Sequence, residues 1–218
     1  MKDKIQVAYS SSRNVYDDVM TQGTLLTRLY NRIFWDGVDD RIIAKKVLKY
    51  IPDEFSGDLL DVPVGTAVFT ADKYKRLQKA RIFALDYSED MLMQAEDRLA
   101  DCPNVSFVQG DVGSMPFEDG SFDIVLCMNG MHVFPDKEKA YEEIARVLKP
   151  SGRFIACFYI KGESGISDWL VKHILAPKGW FNPPFQSRNE VLETLKKDYR
   201  RIEMHNEAAI VYFEAIRK

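Results

Sequence analysis

Four short apolar runs, each closing on a polar or glycine residue, constrain this chain more than any other feature. Leu59-Leu60-Asp61-Val62 stops at a turn containing Gly65, RIFAL stops at Asp86, VSFVQG stops at Asp111, and FDIVLCMNG ends near Asn129. Runs this short and this apolar, separated by segments with helical spacing, read as parallel strands buried on both faces and linked by crossover helices. In an open sheet of that kind ligands settle at the carboxyl ends of the strands. The four polar endings therefore mark one edge as the site. A buried strand, a tight turn at Gly65 and a helix running through Lys79 would aim unpaired backbone N–H groups at a ligand. Asp86, about 20 residues beyond Gly65, stands where such sheets place a carboxylate for ribose hydroxyls.

In order and spacing these segments resemble the class I S-adenosylmethionine-dependent methyltransferases. Residues 60–67 match the family's first motif, residues 84–92 (ALDYSEDML) its second and residues 109–117 (QGDVGSMPF) its third. FDIVLCMNGMHVFPD followed by YEEIARVLKPSGRF covers the fourth motif and the fifth strand. The resemblance spans residues 55–158 and is strongest toward the group with ubiquinone- and menaquinone-biosynthesis-type enzymes. It implies an α/β, Rossmann-like, doubly wound fold: a mostly parallel seven-stranded sheet with an antiparallel C-terminal hairpin and an N-terminal helical lid. It also implies S-adenosylmethionine as cofactor, S-adenosylhomocysteine as product and methyl transfer to a small-molecule acceptor by in-line displacement. Carried over residue by residue, it puts Asp61 near the methionine end of the cofactor, with Val62, Pro63, Gly65 and Thr66 in the same loop. Asp86 falls on the ribose, Tyr87 and Met91 beside the adenine, and Asp111 on the adenine amino group, with Gly110 and Val112 along the ring. Asn129 and Gly130 fall beside the transferable methyl.

The first loop departs from the family's D-x-G-x-G-x-G pattern, because Pro63 replaces the first glycine and Ala67 the third. Proline fixes φ near −65° and removes an N–H, so that position can offer a ligand neither a donor nor a positive φ. The amides of Gly65, Thr66 and Ala67 remain as candidates. Two readings stay open: a working variant of the loop, or a non-catalytic descendant that binds a cofactor or a partner protein. His132 follows Asn129-Gly130-Met131 and is the one histidine inside a motif. A neutral imidazole there could accept a proton from a substrate hydroxyl or amine, or could simply pack and hydrogen-bond the backbone. Tyr16, in the polar stretch RNVYDDVM, is the second candidate catalytic residue.

A single domain over residues 1–218 accommodates all of this: a helical lid (1–50), the cofactor-binding core (55–158), a substrate-side insert (161–188) and a closing helix and hairpin (189–218). The lid is rich in aromatics (Tyr9, Tyr16, Tyr30, Phe34, Trp35), with helical spacing over residues 24–34 and 39–50, the latter capped by Asp39 or Asp40. Further helices are expected over 88–100, started by Ser88, and over 137–148, ended by a break at Lys149-Pro150-Ser151-Gly152. The insert carries Trp169, Trp180, Phe181 and Phe185 and is a candidate second wall for the substrate, or core packing. A helix over 189–197 then leads into two alternating strands, RRIEMHNEA and AIVYFEAIR.

A net charge of −3 on 218 residues supplies no global bias toward nucleic acid. Asn182-Pro183-Pro184-Phe185 matches the signature of base-amine methyltransferases, but that family keeps it directly after the fourth strand, so coincidence accounts for it here. A nicotinamide dehydrogenase would share the strand, turn and Asp86, yet should show G-x-G-x-x-G. Cys102, Cys127 and Cys157 are widely spaced and read as free thiols, two of them core filler, in a reducing, cytoplasmic compartment. No run is long and apolar enough to span a membrane, and three scattered histidines offer no metal site.

Overall fold

Strand β1 (Asp58–Asp61) is buried along its whole length, which is how four residues suffice to hold the centre of a sheet. The computed structural model describes residues 39–218. Tyr16, the other lid aromatics and the helix expected over 24–34 lie outside the described residues. Around β1 stand β2 (Arg81–Asp86), β3 (Val105–Gln109), β4 (Phe122–Met128), β5 (Leu148–Tyr159), β6 (Tyr199–Glu207) and β7 (Ile210–Arg217). They form one seven-stranded sheet in the order β3-β2-β1-β4-β5-β7-β6. β1 pairs in parallel with β2 on one side and β4 on the other, so the strand order reverses direction between β1 and β4. That reversal is where an open α/β sheet leaves a crevice for a ligand. Only β7 runs antiparallel, between β5 and β6.

Alternation along each strand divides the core in two. Leu59, Ile82, Ile124 and Ile155 face one layer, with Ile43 and Val47 of α1 (Asp40–Leu48) and Leu92 and Ala95 of α3 (Glu89–Arg98). Leu60, Leu85, Val125 and Phe154 face the other, with Ala140 and Ile144 of α4 (Lys137–Val147) and Val191 and Leu195 of α6 (Arg188–Asp198). Helix starts follow their side chains. The Asp39 carboxylate accepts from Arg41 N, Ser88 Oγ from Met91 N, and Asp136 from Lys139 N, while Ser187 and Glu190 make a reciprocal capping box. All three cysteines are buried and unpaired.

Two local expectations fail. The helix expected over the dozen residues through Lys79, after the turn at Gly65, shrinks to α2 (Ala71–Tyr74), preceded by successive turns in which Ala67 N donates to Val64 O and Thr70 N to Ala67 O. Ala67 sits at φ +55°, in the left-handed region, so the turn continues past Gly65 and delays the start of any right-handed helix. The break expected at residues 149–152 is instead an irregularity inside β5. Register slips between Phe122↔Leu148 and Ile124↔Arg153, and Ser151 takes φ +63°. One extra loop of backbone is absorbed by the strand without ending it.

Candidate active site

The carboxyl ends of β1, β2 and β4 and the turn after β3 surround a single cleft. Asp61, Val62, Pro63, Gly65 and Thr66 line it from β1, Asp86, Tyr87 and Met91 from β2 and α3, Gly110, Asp111 and Val112 from the β3 turn, and Asn129 from β4. Every cofactor residue expected from sequence is in this lining except Gly130. That glycine lies behind the wall: a Cβ there would lie 2.7 Å from both Cys127 Sγ and Phe134 Cζ and would strike the ring of Pro63. Pro63 thus fills a notch that Gly130 leaves open. The unusual proline is packed, not merely tolerated.

The β1 loop is held by its own bonds. Gly65 N donates to Asp86 Oδ2 at 2.8 Å, Val64 N to Leu85 O at 3.0 Å, and the Arg98 guanidinium to Thr66 O at 2.8 Å. The amides of Gly65 and Ala67 are therefore committed within the protein, contrary to the expectation that they point at a ligand. Ala67 is buried, and its methyl burial of about 0.8 kcal/mol offsets much of the strain of its left-handed backbone, about 1–2 kcal/mol. Gly65, at φ +56°, has no heavy atom within 4 Å of where a Cβ would stand, so open space lies directly over the turn.

Two buried carboxylates, Asp61 and Asp86, belong to the cleft lining. Asp61 is 1% exposed; Tyr74 Oη donates to its Oδ2 at 2.6 Å, while its Oδ1 is buried without a partner among the described residues. Burial pushes its pKa up to about 7, against the Tyr74 hydrogen bond, with Asp86 adding repulsion. Asp86 accepts from Gly65 N and from Ser88 N at 2.9 Å, and burial lifts it to about 6 despite those bonds. Thr70 Oγ1, also in the lining, lies near enough to favour the ionised Asp61 carboxylate but makes no hydrogen bond of regular geometry among the described residues. An unmatched buried carboxylate oxygen is costly unless something cationic or hydrogen-donating completes it. The Asp111 carboxylate accepts from Gly113 N at 3.0 Å, which fixes the β3 turn. Beyond Asn129, the lining turns apolar with Met128, Val133, Phe134 and Phe69.

His132 does not join this cleft. Its ring is buried, stacked on Phe181 at 4.1 Å, and its Nδ1 accepts from Tyr159 N at 3.2 Å. A backbone N–H can only donate, so Nδ1 is unprotonated and the neutral ring carries its hydrogen on Nε2. Burial, aided by Lys137, depresses its pKa to about 3. With one nitrogen engaged and the other protonated, His132 has no lone pair for a substrate proton, which corrects the expected base role. Asn182 N donates to His132 O, and Lys137 Nζ donates to Asn182 O and Phe134 O, so the Asn-Pro-Pro-Phe turn buttresses the β4 loop from outside the lining. The insert divides likewise. Phe181 is buried, whereas Trp169 points away from the fold.

Sequence reasoning missed Tyr74, Thr70, Phe69 and Arg98. Tyr74 and Arg98 find their partners, Asp61 and Thr66 O, on other elements, and no local pattern marks any of the four.

A crevice at the sheet's strand-order reversal, with a glycine turn under open space and carboxylates at the ends of β1 and β2, defines the Rossmann-like nucleotide-cofactor class. Residues 60–156 match the family model described as a methyltransferase domain. The chain is 34% identical over 154 residues to the demethylmenaquinone methyltransferase of Chlorobaculum tepidum, covering 69% of this chain and 59% of the relative. It is 31% identical over 152 residues to the Staphylococcus carnosus enzyme of the same name, covering 69% and 58%. The chain thus spans less than two thirds of the length of these curated relatives. In fold it is similar to an S-adenosylmethionine-dependent methyltransferase of Thermotoga maritima, with TM-score 0.71, 19% identity and coverage of 98% of this chain and 100% of that one. A geranyl diphosphate C-methyltransferase of Streptomyces coelicolor, solved with S-adenosylhomocysteine, gives TM-score 0.64 at 14% identity, covering 81% and 76%.

Proposed function

We propose that this protein transfers a methyl group from S-adenosylmethionine to a small-molecule acceptor, and that the acceptor is a quinone precursor of the demethylmenaquinone kind. The observation that carries the cofactor assignment is Asp61 Oδ1, buried in the cleft lining without a hydrogen-bond partner among the described residues. An ammonium group would complete it, and Thr70 Oγ1 beside it offers a further hydrogen bond. Asp86 retains lone-pair capacity on both oxygens and would accept from ribose hydroxyls, Tyr87 and Met91 would border the base, and Asp111 would accept from its amino group, all four being in the cleft lining. When bound, the cofactor supplies a methyl group on a positively charged sulfur, an electrophile in its own right.

The chain's own work is then to orient and to exclude water. Asn129, held by its N–H to Cys157 O at 2.7 Å, closes the β4 end, and Met128, Val133 and Phe134 make a dry wall beside it. A dry wall suits a transfer in which charge is dispersed as the methyl moves. With His132 unable to take a proton, the reading favours an acceptor carbon already activated by its own ring hydroxyl, as a reduced quinone provides. The curated relatives carry this substrate in their names, which supports the choice. Three buried thiols that form no disulfide suit a reducing, cytoplasmic compartment.

Calorimetric titration with S-adenosylmethionine and S-adenosylhomocysteine tests the cofactor site. Micromolar binding is expected, with Asp86→Ala weakening it by about 2 kcal/mol; no binding at millimolar ligand overturns the proposal. Methyl transfer to a water-soluble, short-chain demethylmenaquinol then tests the acceptor.

A further inference from the structure

Large apolar side chains are expected inside, and a neighbouring pair left outside calls for an explanation. Ile166 and Trp169 are 55% and 58% exposed, more than any other large hydrophobic residue among those described. They lie three apart on α5 (Gly165–Leu170), which runs on into a π-helical turn, Val171–Leu175. The inward row of this segment is Ser167, Val171 and Leu175, all buried. Its packing on the body of the protein is satisfied without Ile166 or Trp169. The segment therefore presents an outward apolar pair, with exposed Glu163 before it and exposed Lys172 and Lys178 after it, the Lys178 Nζ sitting 5.6 Å from the ring of Trp180.

The pair is rigidly placed. Tyr159, the last residue of β5, donates through Oη to Asp168 Oδ1 at 2.6 Å, and Gly162 N donates to Asp168 Oδ2 at 2.9 Å. These bonds draw the one acid of α5 inward and leave Ile166, Trp169 and Lys172 on the outer side. β5 runs parallel to β4, so its end lies at the sheet edge that carries the cleft. Phe181, which follows the π-helical turn, stacks on His132, adjacent in sequence to cleft-lining Val133 and Phe134. The outward pair and the cleft thus belong to the same edge of the molecule.

We infer that α5 and the turn after it form a membrane-surface contact, with Ile166 and Trp169 entering the headgroup boundary of an anionic lipid bilayer and Lys172 and Lys178 facing its phosphates. A short helix with isoleucine and tryptophan outward and lysines at its flank has the chemistry of an interfacial contact, one that lies on a bilayer. No helix among the described residues is long and apolar enough to cross one. The inference deepens the acceptor reading and rests on it: a lipid-soluble quinone is reached at a bilayer surface, at the edge where the cleft opens.

Co-sedimentation of the full chain with vesicles of phosphatidylcholine alone, and of phosphatidylcholine with phosphatidylglycerol, tests it. Binding to the anionic vesicles is expected, at least tenfold weaker for the double variant I166E/W169E and weakened by salt. The same variant should keep its melting temperature and its turnover of the water-soluble acceptor. No sedimentation with anionic vesicles, or sedimentation undiminished in the variant, overturns the inference. So does a change in oligomeric state in the variant, which would make the pair a contact between copies. Turnover of the soluble acceptor without vesicle binding removes the membrane contact and leaves the acceptor reading intact. Vesicle binding through the pair without any turnover removes the acceptor reading.

Discussion

At the scale of single residues, the cleft is governed by two carboxyl groups held out of water. Asp61 and Asp86 have pKa values raised to about 7 and about 6. For an acid with a raised folded pKa, the folded state binds more protons than the unfolded one between the two values. The ligand-free protein should therefore lose stability as pH rises from about 4 to about 7, and Asp61→Asn should flatten that decline in urea titrations across the range. Cofactor affinity should run the other way, because a cationic ligand needs the ionised carboxylate. Calorimetry from pH 5.5 to 8.5 should show affinity rising with pH, by up to about tenfold per unit below the Asp61 pKa, then levelling. A flat profile would remove Asp61 from the cofactor contact. Gly130 makes a separate case, since a Cβ there would meet the rigid Pro63 ring, Cys127 Sγ and Phe134 Cζ together. Gly130→Ala should cost about 1–3 kcal/mol and weaken cofactor binding by displacing the β1 loop. Adding Pro63→Gly should restore part of both, whereas simple additivity of the two changes would show that they do not touch.

At the scale of elements, the insert after β5 is a buttress on its inner side. Phe181 stacks on His132 at 4.1 Å and meets Tyr159 and Phe185 edge-on at 5.6 and 6.3 Å. These contacts tie residues 161–188 to the loop after β4, together with the Lys137 ammonium and its two carbonyl acceptors. Lys137 is desolvated enough to bring its pKa down to about 8. Phe181→Ala should destabilise the fold by about 3–5 kcal/mol in denaturant titrations and expose the insert to limited proteolysis first. Loss of stability without a preferential cut in the insert would mean that the ring serves the core generally. The β5 irregularity belongs to the same scale. Pro150 and Gly152 signal a break to any local reading, yet pairing with β4 resumes at Arg153 and with β7 at the same residue. Two flanking strands outweigh four residues of turn chemistry.

At the scale of the whole molecule, the cleft sits at the one place where neighbouring strands lead away to opposite sides of the sheet, so a ligand there touches β1, β2, β3 and β4 at once. Binding should stabilise the domain as a unit. S-adenosylhomocysteine at about 100 times its dissociation constant should add about 2.7 kcal/mol, and raise the melting temperature by roughly 5–10 °C for a chain of this size. A shift seen by one probe and not by others would show that only the cleft loops respond.

The sequence by itself marked the apolar runs of β1 to β5, the two alternating closing strands, the helix start at Ser88 and another at Asp39 or Asp40, and the polar strand ends between Asp61 and Asn129, while the layout of the sheet came from the family resemblance. Those marks are written locally, as apolar runs, polar strand ends and capping side chains, and local physics is what a sequence displays. The tertiary structure alone decided what passes between elements. The tautomer of His132 is set by the N–H of Tyr159, 27 residues away. The fate of the Gly65 amide is set by Asp86, 21 residues away, and the place of Pro63 by the notch at Gly130. The open carboxylate oxygen of Asp61, the buried side of Phe181 and the outward side of Trp169 also depend on what packs against them. A hydrogen bond or a steric notch exists only when both partners are in place, and the fold brings those partners together.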